Sequence, residues 1–330
     1  MTNRNLQEQV DIWNPKYPIK PNTPVVTYGS CFAQHIGRAL KARGYSWLET
    51  EVSPFGMRAQ TARSFGYSVF SSRSGNIYTP TYLRQWTEWA LGKNSAPDIC
   101  WYDKGRAIDP FRPRIEPHGF EDKEEMLRCR EMSLEAFRES IRRAGVLVFT
   151  LGLTERWLDK AGFEYPMCPG TAAGEFDPEM HFFDNLDYAE TTRALNDVTA
   201  MFRAENPELK ILLTVSPVPL TATASQAHVM AATVRSKSIL RAAADSVVAN
   251  DEMVDYFPSY EIFSSPVFGR GLFEPNWRSV SADGVRQVMD LFFRAQVSKF
   301  GEVEVNLPEE DDLYDLICEE EILDFFGAER

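Results

Sequence analysis

Val25-Val26-Thr27-Tyr28-Gly29-Ser30-Cys31-Phe32-Ala33-Gln34-His35-Ile36 is the stretch on which the fold turns. Its first four residues are β-branched or aromatic and read as a strand. From about Cys31 to Arg43 the apolar positions Phe32, Ile36, Ala39 and Leu40 fall at helical spacing, and Gly44 supplies the stop. A strand that passes at once into a helix opens an α/β unit. The pattern recurs. Val146-Leu147-Val148-Phe149-Thr150 and Ile211-Leu212-Leu213-Thr214-Val215 are continuous apolar runs, as expected of strands buried on both faces. Val254-Asp255-Tyr256-Phe257 is a shorter, final strand, and Trp47 to Val52 is a weak fifth one. Helices are expected near Pro80–Leu91, Lys123–Ala144, Tyr188–Glu205, Val229–Ala249 and Ala282–Phe300. This alternation predicts a three-layer α/β/α fold around a mostly parallel, five-stranded sheet.

Residues 93 to 120 are rich in Pro, Gly, Asp and Arg and read as an irregular insertion packed on the rim. The expected organisation is one domain over residues 1–300, with residues 301–330 as a separate acidic tail. The net charge of −13 sits mainly there, because twelve acids after Gly301 face only Arg330 and account for −11. The rest is nearly neutral, and no basic stripe for a nucleic acid is present. Leu313, Leu316, Ile317, Leu323 and Phe326 recur among the tail acids at mostly helical spacing. An amphipathic helix that docks on this chain or on a basic protein partner is one reading, and a solvated tail is the other.

Five cysteines lie far apart with no C-x-x-C pair, which argues for a reducing compartment rather than a disulfide framework. Met1 to Lys20 has no apolar signal core, and no apolar run approaches the length of a bilayer span. A cytoplasmic location, with no membrane partner, is the expectation.

Ligands of open parallel sheets bind beyond the carboxyl ends of the strands. Here those ends carry Gly29-Ser30-Cys31, Gly152-Leu153-Thr154-Glu155, Ser216-Pro217 and Pro258-Ser259-Tyr260-Glu261. Ser30 lies where a helix dipole favours negative charge, a ready environment for an oxyanion. The same position suits a plain N-cap serine. Cys31 is either a thiol activated by the helix start or a small buried residue of its first turn.

Tyr28-Gly29-Ser30-Cys31-Phe32-Ala33 contains the pentapeptide of the GSCFA family, and the resemblance continues along the chain. It runs through Gly75-Asn76-Ile77-Tyr78-Thr79, Asp109-Pro110-Phe111-Arg112-Pro113 and Thr150-Leu151-Gly152-Leu153-Thr154-Glu155-x-Trp157. Cys168-Pro169-Gly170, Thr214-Val215-Ser216-Pro217-Val218, Ser236-Lys237-Ser238 and Asp255-Tyr256-Phe257-Pro258-Ser259-Tyr260-Glu261 extend it. The family resembles the SGNH/GDSL hydrolases, which implies a flavodoxin-like sheet and acyl-ester chemistry with Ser30 as nucleophile. The resemblance implies Gly56 for the oxyanion glycine, with Gly152 on the same rim. The usual third-strand asparagine is missing, and Thr154 stands in its place. The usual terminal D-x-x-H is missing too: Asn276-Trp277-Arg278-Ser279 occupies that region, and no histidine follows His228.

His228, downstream of the Ser-Pro-Val segment, fits the family's histidine and is the preferred base; His181 is second. His35 lies a turn or more down the helix, and His118 is in the insertion. Glu155 either orients a histidine or pairs with an arginine such as Arg112, with Glu261 as its rival. Tyr78, Trp101 and Trp157 serve either as packing or as an aromatic wall for a sugar ring. The expected function is hydrolysis or transfer of an acyl ester, with a small molecule or carbohydrate as substrate. Acyl-coenzyme A is an open alternative as donor, and neither cofactor nor metal is required. A binding or scaffold protein that kept the fold and lost the triad is the competing reading.

Overall fold

The structure, a computed structural model, describes residues 12–268 and 271–304. Its central sheet begins with β1 (Val25–Gly29), every residue of which is buried. β4 (Val146–Leu151), β8 (Lys210–Val215) and β9 (Val254–Tyr256) follow it in the order β1-β4-β8-β9, all parallel. Gly29 pairs with Thr150, and Thr150 pairs with Thr214, so the strand ends lie level at one edge. Between β1 and β4 the chain adds three helices and a hairpin besides α1 (Phe32–Ala42).

The unbroken apolar runs follow from a sheet covered on both sides. Val26, Tyr28, Leu147, Phe149, Ile211 and Leu213 point to one face. There they meet α3 (Pro80–Ala90), α4 (Lys123–Arg143), α5 (Tyr188–Glu205) and α6 (Val229–Ala249). Val25, Val146, Val148 and Leu212 point to the other, against α1 (Phe32–Ala42), α7 (Ser259–Ser264) and α8 (Ala282–Phe300). Side-chain alternation along each strand thus sorts two apolar layers around one sheet.

Helix starts are set by local chemistry. Thr79 caps α3 by accepting from the Tyr82 N–H, with Pro80 at the first helical position. Asp187 and Glu190 form a reciprocal capping box on α5. Asp122 and Ser281 cap α4 and α8.

The second layer is also closed by a segment from the start of the described chain. Trp13 stacks on Phe292 and meets Phe257 edge-on, with ring centroids 5.0 and 5.1 Å away. The Tyr17 hydroxyl donates to the Ile211 carbonyl at 2.7 Å, and the Ile19 N–H donates to Gln296 Oε1 at 3.0 Å.

Three expectations need correction. The fifth strand at Trp47–Val52 reduces to a single parallel bridge, Trp47 to Val25. Ser71 then takes the ladder's place on β1, with its Oγ accepting from the Thr27 N–H at 3.0 Å. The bridge sits on the outer side of β1, where a flavodoxin-like order has its second strand. The insertion is also more regular than its composition suggests. Trp101–Asp103 (β2) and Arg106–Ile108 (β3) form an antiparallel hairpin. Its turn places Lys104 and Gly105 at φ 48° and 79°, the left-handed pair that a two-residue hairpin loop demands. Finally, a second sheet went unforeseen: β5 (Glu155–Asp159) lies antiparallel between β6 (Glu164–Tyr165) and β7 (His181–Asn185). The short helix α2 (Ala59–Ser64) completes the rim. The tail readings at Leu313, Leu316, Ile317, Leu323 and Phe326 fall outside the described residues.

Candidate active site

The turn from β1 into α1 is built on Gly29. Its φ is 129°, and a Cβ there would lie 2.3 Å from the Thr150 carbonyl oxygen. Only glycine lets the two strand ends approach this closely. The Ser30 N–H donates to that same Thr150 oxygen at 3.0 Å. Cys31, not Ser30, occupies the cap position of α1 and makes no side-chain capping bond. Ser30 Oγ is therefore neither a cap nor part of a ladder. The residue is 1% exposed, and its hydroxyl has no hydrogen-bond partner among the described residues. Leaving a buried hydroxyl unpaired costs about 1–3 kcal/mol, a cost that a bound acyl group could offset here.

Two segments close around Ser30. The Ile77 N–H donates to the Gly29 carbonyl at 2.9 Å, and the Tyr78 carbonyl accepts from Gly152 N at 2.9 Å and from Leu153 N at 3.2 Å. A Cβ on Gly152 would stand 3.1 Å from Tyr78 Cδ1 and 3.2 Å from Ser30 Cβ. Gly152 is thus the wall shared by the serine and the tyrosine. From behind, Lys237 of α6, 1% exposed, donates to the Gly152 carbonyl at 2.7 Å. Its neighbour Ser236 accepts from the Thr154 N–H at 2.9 Å.

Two cavities are lined by residues of the segments around this turn, and Ser30 itself is on the wall of neither. The larger, about 290 Å³, is lined by Tyr78, Leu153, Glu155, Trp157 and the Leu220–Ala224 segment. The smaller, about 110 Å³, is lined by Gln34, Phe70, Gly75, Asn76 and Arg112. Arg114, Pro166 and Met167 border both.

The remaining expected residues are placed as follows. The Thr154 hydroxyl donates to Asn185 Oδ1 at 2.7 Å and so ties β5 to β7. Glu155 accepts from the Thr223 hydroxyl and, at 3.4 Å, from the Ala224 N–H. It contacts no histidine and no arginine among the described residues; Arg112 is paired instead with Asp109 at 2.8 Å. Glu261 pairs with Arg241 and accepts from the Tyr256 hydroxyl. Gly56 stands on an exposed turn, with nothing within 4 Å of where a Cβ would be, beside a fully exposed Phe55. His228 is exposed and caps α6, its Nδ1 accepting from the Met230 N–H at 3.3 Å. His181 accepts from the Asp177 N–H at 3.1 Å and packs between the rings of Tyr165 and Phe176. His35 is buried; loss of solvent and the charge of Arg38 lower its pKa to about 3, so it is neutral near pH 7. None of these side chains is hydrogen-bonded to Ser30 Oγ.

Lys237 and Arg114 were not singled out from the sequence. A signal existed for the first. Ala232, Ser236, Leu240, Ala243 and Val247 mark the buried stripe of α6, and Lys237 lies on its edge. A lysine on an apolar stripe is worth a question. Arg114 follows Asp109-Pro110-Phe111-Arg112-Pro113 directly, and only the folded rim shows that it borders two cavities.

Among the described residues no group of His, Cys, Asp and Glu is placed to hold a metal, and no helix is long and apolar enough to cross a membrane. No curated protein matches the chain. A solved structure of a carbohydrate esterase family 2 enzyme with its carbohydrate-binding domain, from Corynascus thermopiles (Myceliophthora fergusii), is similar at 13% identity. The match covers 87% of this chain and 69% of that one, with a TM-score of 0.34. A likeness that remote says nothing of what this chain acts on. The model of the GSCFA family, in contrast, matches residues 24–292, the run from β1 into α8 that carries the Gly29-Ser30 turn and everything packed around it; the chain belongs to the GSCFA family.

Proposed function

We propose that the chain is an acyl-ester hydrolase or O-acyltransferase with Ser30 as its nucleophile. The observation that carries this reading is the unpaired, buried Ser30 hydroxyl at the carboxyl end of β1. Residues of the segments that close around it, Asn76, Tyr78 and Leu153, line two cavities, and α1 begins just behind it. Ser30 Oγ attacks the acyl carbon and gives its proton to a base. The carbonyl oxygen becomes an oxyanion in the field of the α1 start. Collapse expels the alcohol, leaving an acyl-Ser30 ester, and water or a sugar hydroxyl then takes the acyl group.

In this reading His228 is the base, with Glu155 acting one step removed. Glu155 holds Thr223 and Ala224, in the loop that leads into His228, so it fixes the path of that loop rather than the imidazole. Proton transfer then requires the loop to bring His228 from its capping position on α6 to Ser30. Trp157 and Tyr78 offer the larger cavity a flat wall for a sugar ring.

One observation favours the second reading, a binding or scaffold protein: Ser30 is occluded and no histidine is bonded to it. Labelling with a fluorophosphonate probe separates the two. Wild type is expected to label, Ser30→Ala to lose the label and His228→Ala to lose most of it. A well-folded wild type that does not label would favour binding over chemistry. Esters and coenzyme A thioesters are the two substrate sets to screen next.

A further inference from the structure

The smaller cavity has a charge imbalance that ester chemistry alone does not use. Its lining holds three arginines, Arg63, Arg112 and Arg114, and no carboxylate. Arg112 is neutralised within the rim by Asp109. Arg114 is half-buried, and its Nη1 is fully buried without a hydrogen-bond partner among the described residues. No acid pairs with it there. An unpaired guanidinium nitrogen removed from water is costly unless something anionic meets it, and the planar fork of arginine suits a carboxylate or a phosphate.

We propose that Arg114 is the anchor for an anionic group on the substrate, a carboxylate or phosphate seated in the smaller cavity. This rests on the reading of Ser30 as nucleophile only for the ester bond: the anion lies in the smaller cavity, and the uncharged remainder lies across the shared Arg114 border in the larger one, against Trp157 and Tyr78. The volume of about 110 Å³ has room for a charged group and a few carbons. Arg114 borders both cavities, so a ligand held by it can span them. The substrate class is then an anionic acyl ester: a hemi-ester of a short dicarboxylic acid, or a phosphorylated alcohol carrying an acyl group.

The anion is tested apart from the chemistry. Binding of succinate, of its neutral diamide and of inorganic phosphate is measured by calorimetry on the full chain. The proteins are wild type, Ser30→Ala, Arg114→Lys and Arg114→Gln. Wild type and Ser30→Ala should bind succinate or phosphate and not the diamide. Arg114→Gln should bind about tenfold more weakly or worse, and Arg114→Lys should fall between. Succinate alone binding points to the dicarboxylate hemi-ester, and phosphate alone points to the phosphorylated ester. Wild type that binds the diamide as well as succinate, or that binds neither anion, overturns the proposal without any variant having to fold. Equal anion binding by wild type and Arg114→Gln also overturns it. Failure of fluorophosphonate labelling, by contrast, would remove the nucleophile and leave these binding results standing.

Discussion

At the scale of single residues, Ser30 and His35 make opposite statements about the same helix. The Ser30 hydroxyl is buried with no partner, so the native state carries a desolvation cost. Ser30→Ala should therefore leave stability unchanged or raise it by about 1–3 kcal/mol in urea unfolding while abolishing labelling. A serine kept for structure would do the reverse. His35, one turn on, stays neutral in the fold down to about pH 3, but the unfolded chain takes up its proton near pH 6.5. Between those values the unfolded state binds more protons, so stability falls as pH drops through that window, by roughly a few kcal/mol. A His35→Gln variant should show a flatter dependence of its urea midpoint between pH 6.5 and pH 4. Of the candidate site, the Gly29-Ser30 turn was legible at this scale, and the limit is instructive. Ser30 follows from a strand that meets a helix across Gly29, a purely local pattern. The setting of Glu155, His228 and Arg114 depends on the loops and rim segments that fold over the sheet edge, and spacing carries no record of those contacts.

The elements divide in the same way. Helices α5, α6 and α8 were readable to the residue because each has an amphipathic stripe and a capping residue at its start. Strands β4 and β8 were readable because burial on both faces demands continuous apolar runs. The β5–β7 sheet was not, since Glu155-Arg156-Trp157-Leu158-Asp159 mixes charges with apolar residues and its partner β6 is only two residues long. The insertion hid its order for a different reason: a small apolar cluster of Ala107, Ile115, Phe120 and Met126 and a buried ion-pair network hold it, with no periodicity to read. Asp109, fully buried, meets Arg112 at 2.8 Å and Arg130 at 2.7 Å. Burial alone would raise the Asp109 carboxyl, but Arg130 and Arg112 outweigh it and hold the pKa below the usual carboxylate value. Asp109→Asn leaves two buried guanidinium groups short of their counter-ion and should cost about 3–5 kcal/mol by urea denaturation. Because the folded pKa is depressed, this contribution is present above the unfolded value of about 3.9 and is lost as pH falls through the folded one. The midpoint difference between wild type and Asp109→Asn should accordingly shrink below pH 4.

Over the whole molecule, one face of the sheet is covered by helices from the middle of the chain, and the other by α1, α7, α8 and the segment around Trp13. Trp13 touches Phe257 and Phe292 while Lys16 N donates to Asp255 at 2.8 Å. Trp13→Ala should cost about 3–5 kcal/mol and lower the melting temperature by several degrees without altering the cavities. The Ile19 to Gln296 bond joins residues 277 positions apart. On a ribosome adding about 5–20 residues per second, Ile19 waits tens of seconds for that partner. Helices α3 to α6 can pack on their strands during that interval, while the apolar side chains around Trp13 stay uncovered. The nascent chain is thus most in need of a chaperone at its front end, and the second layer closes only after α8 has left the exit tunnel.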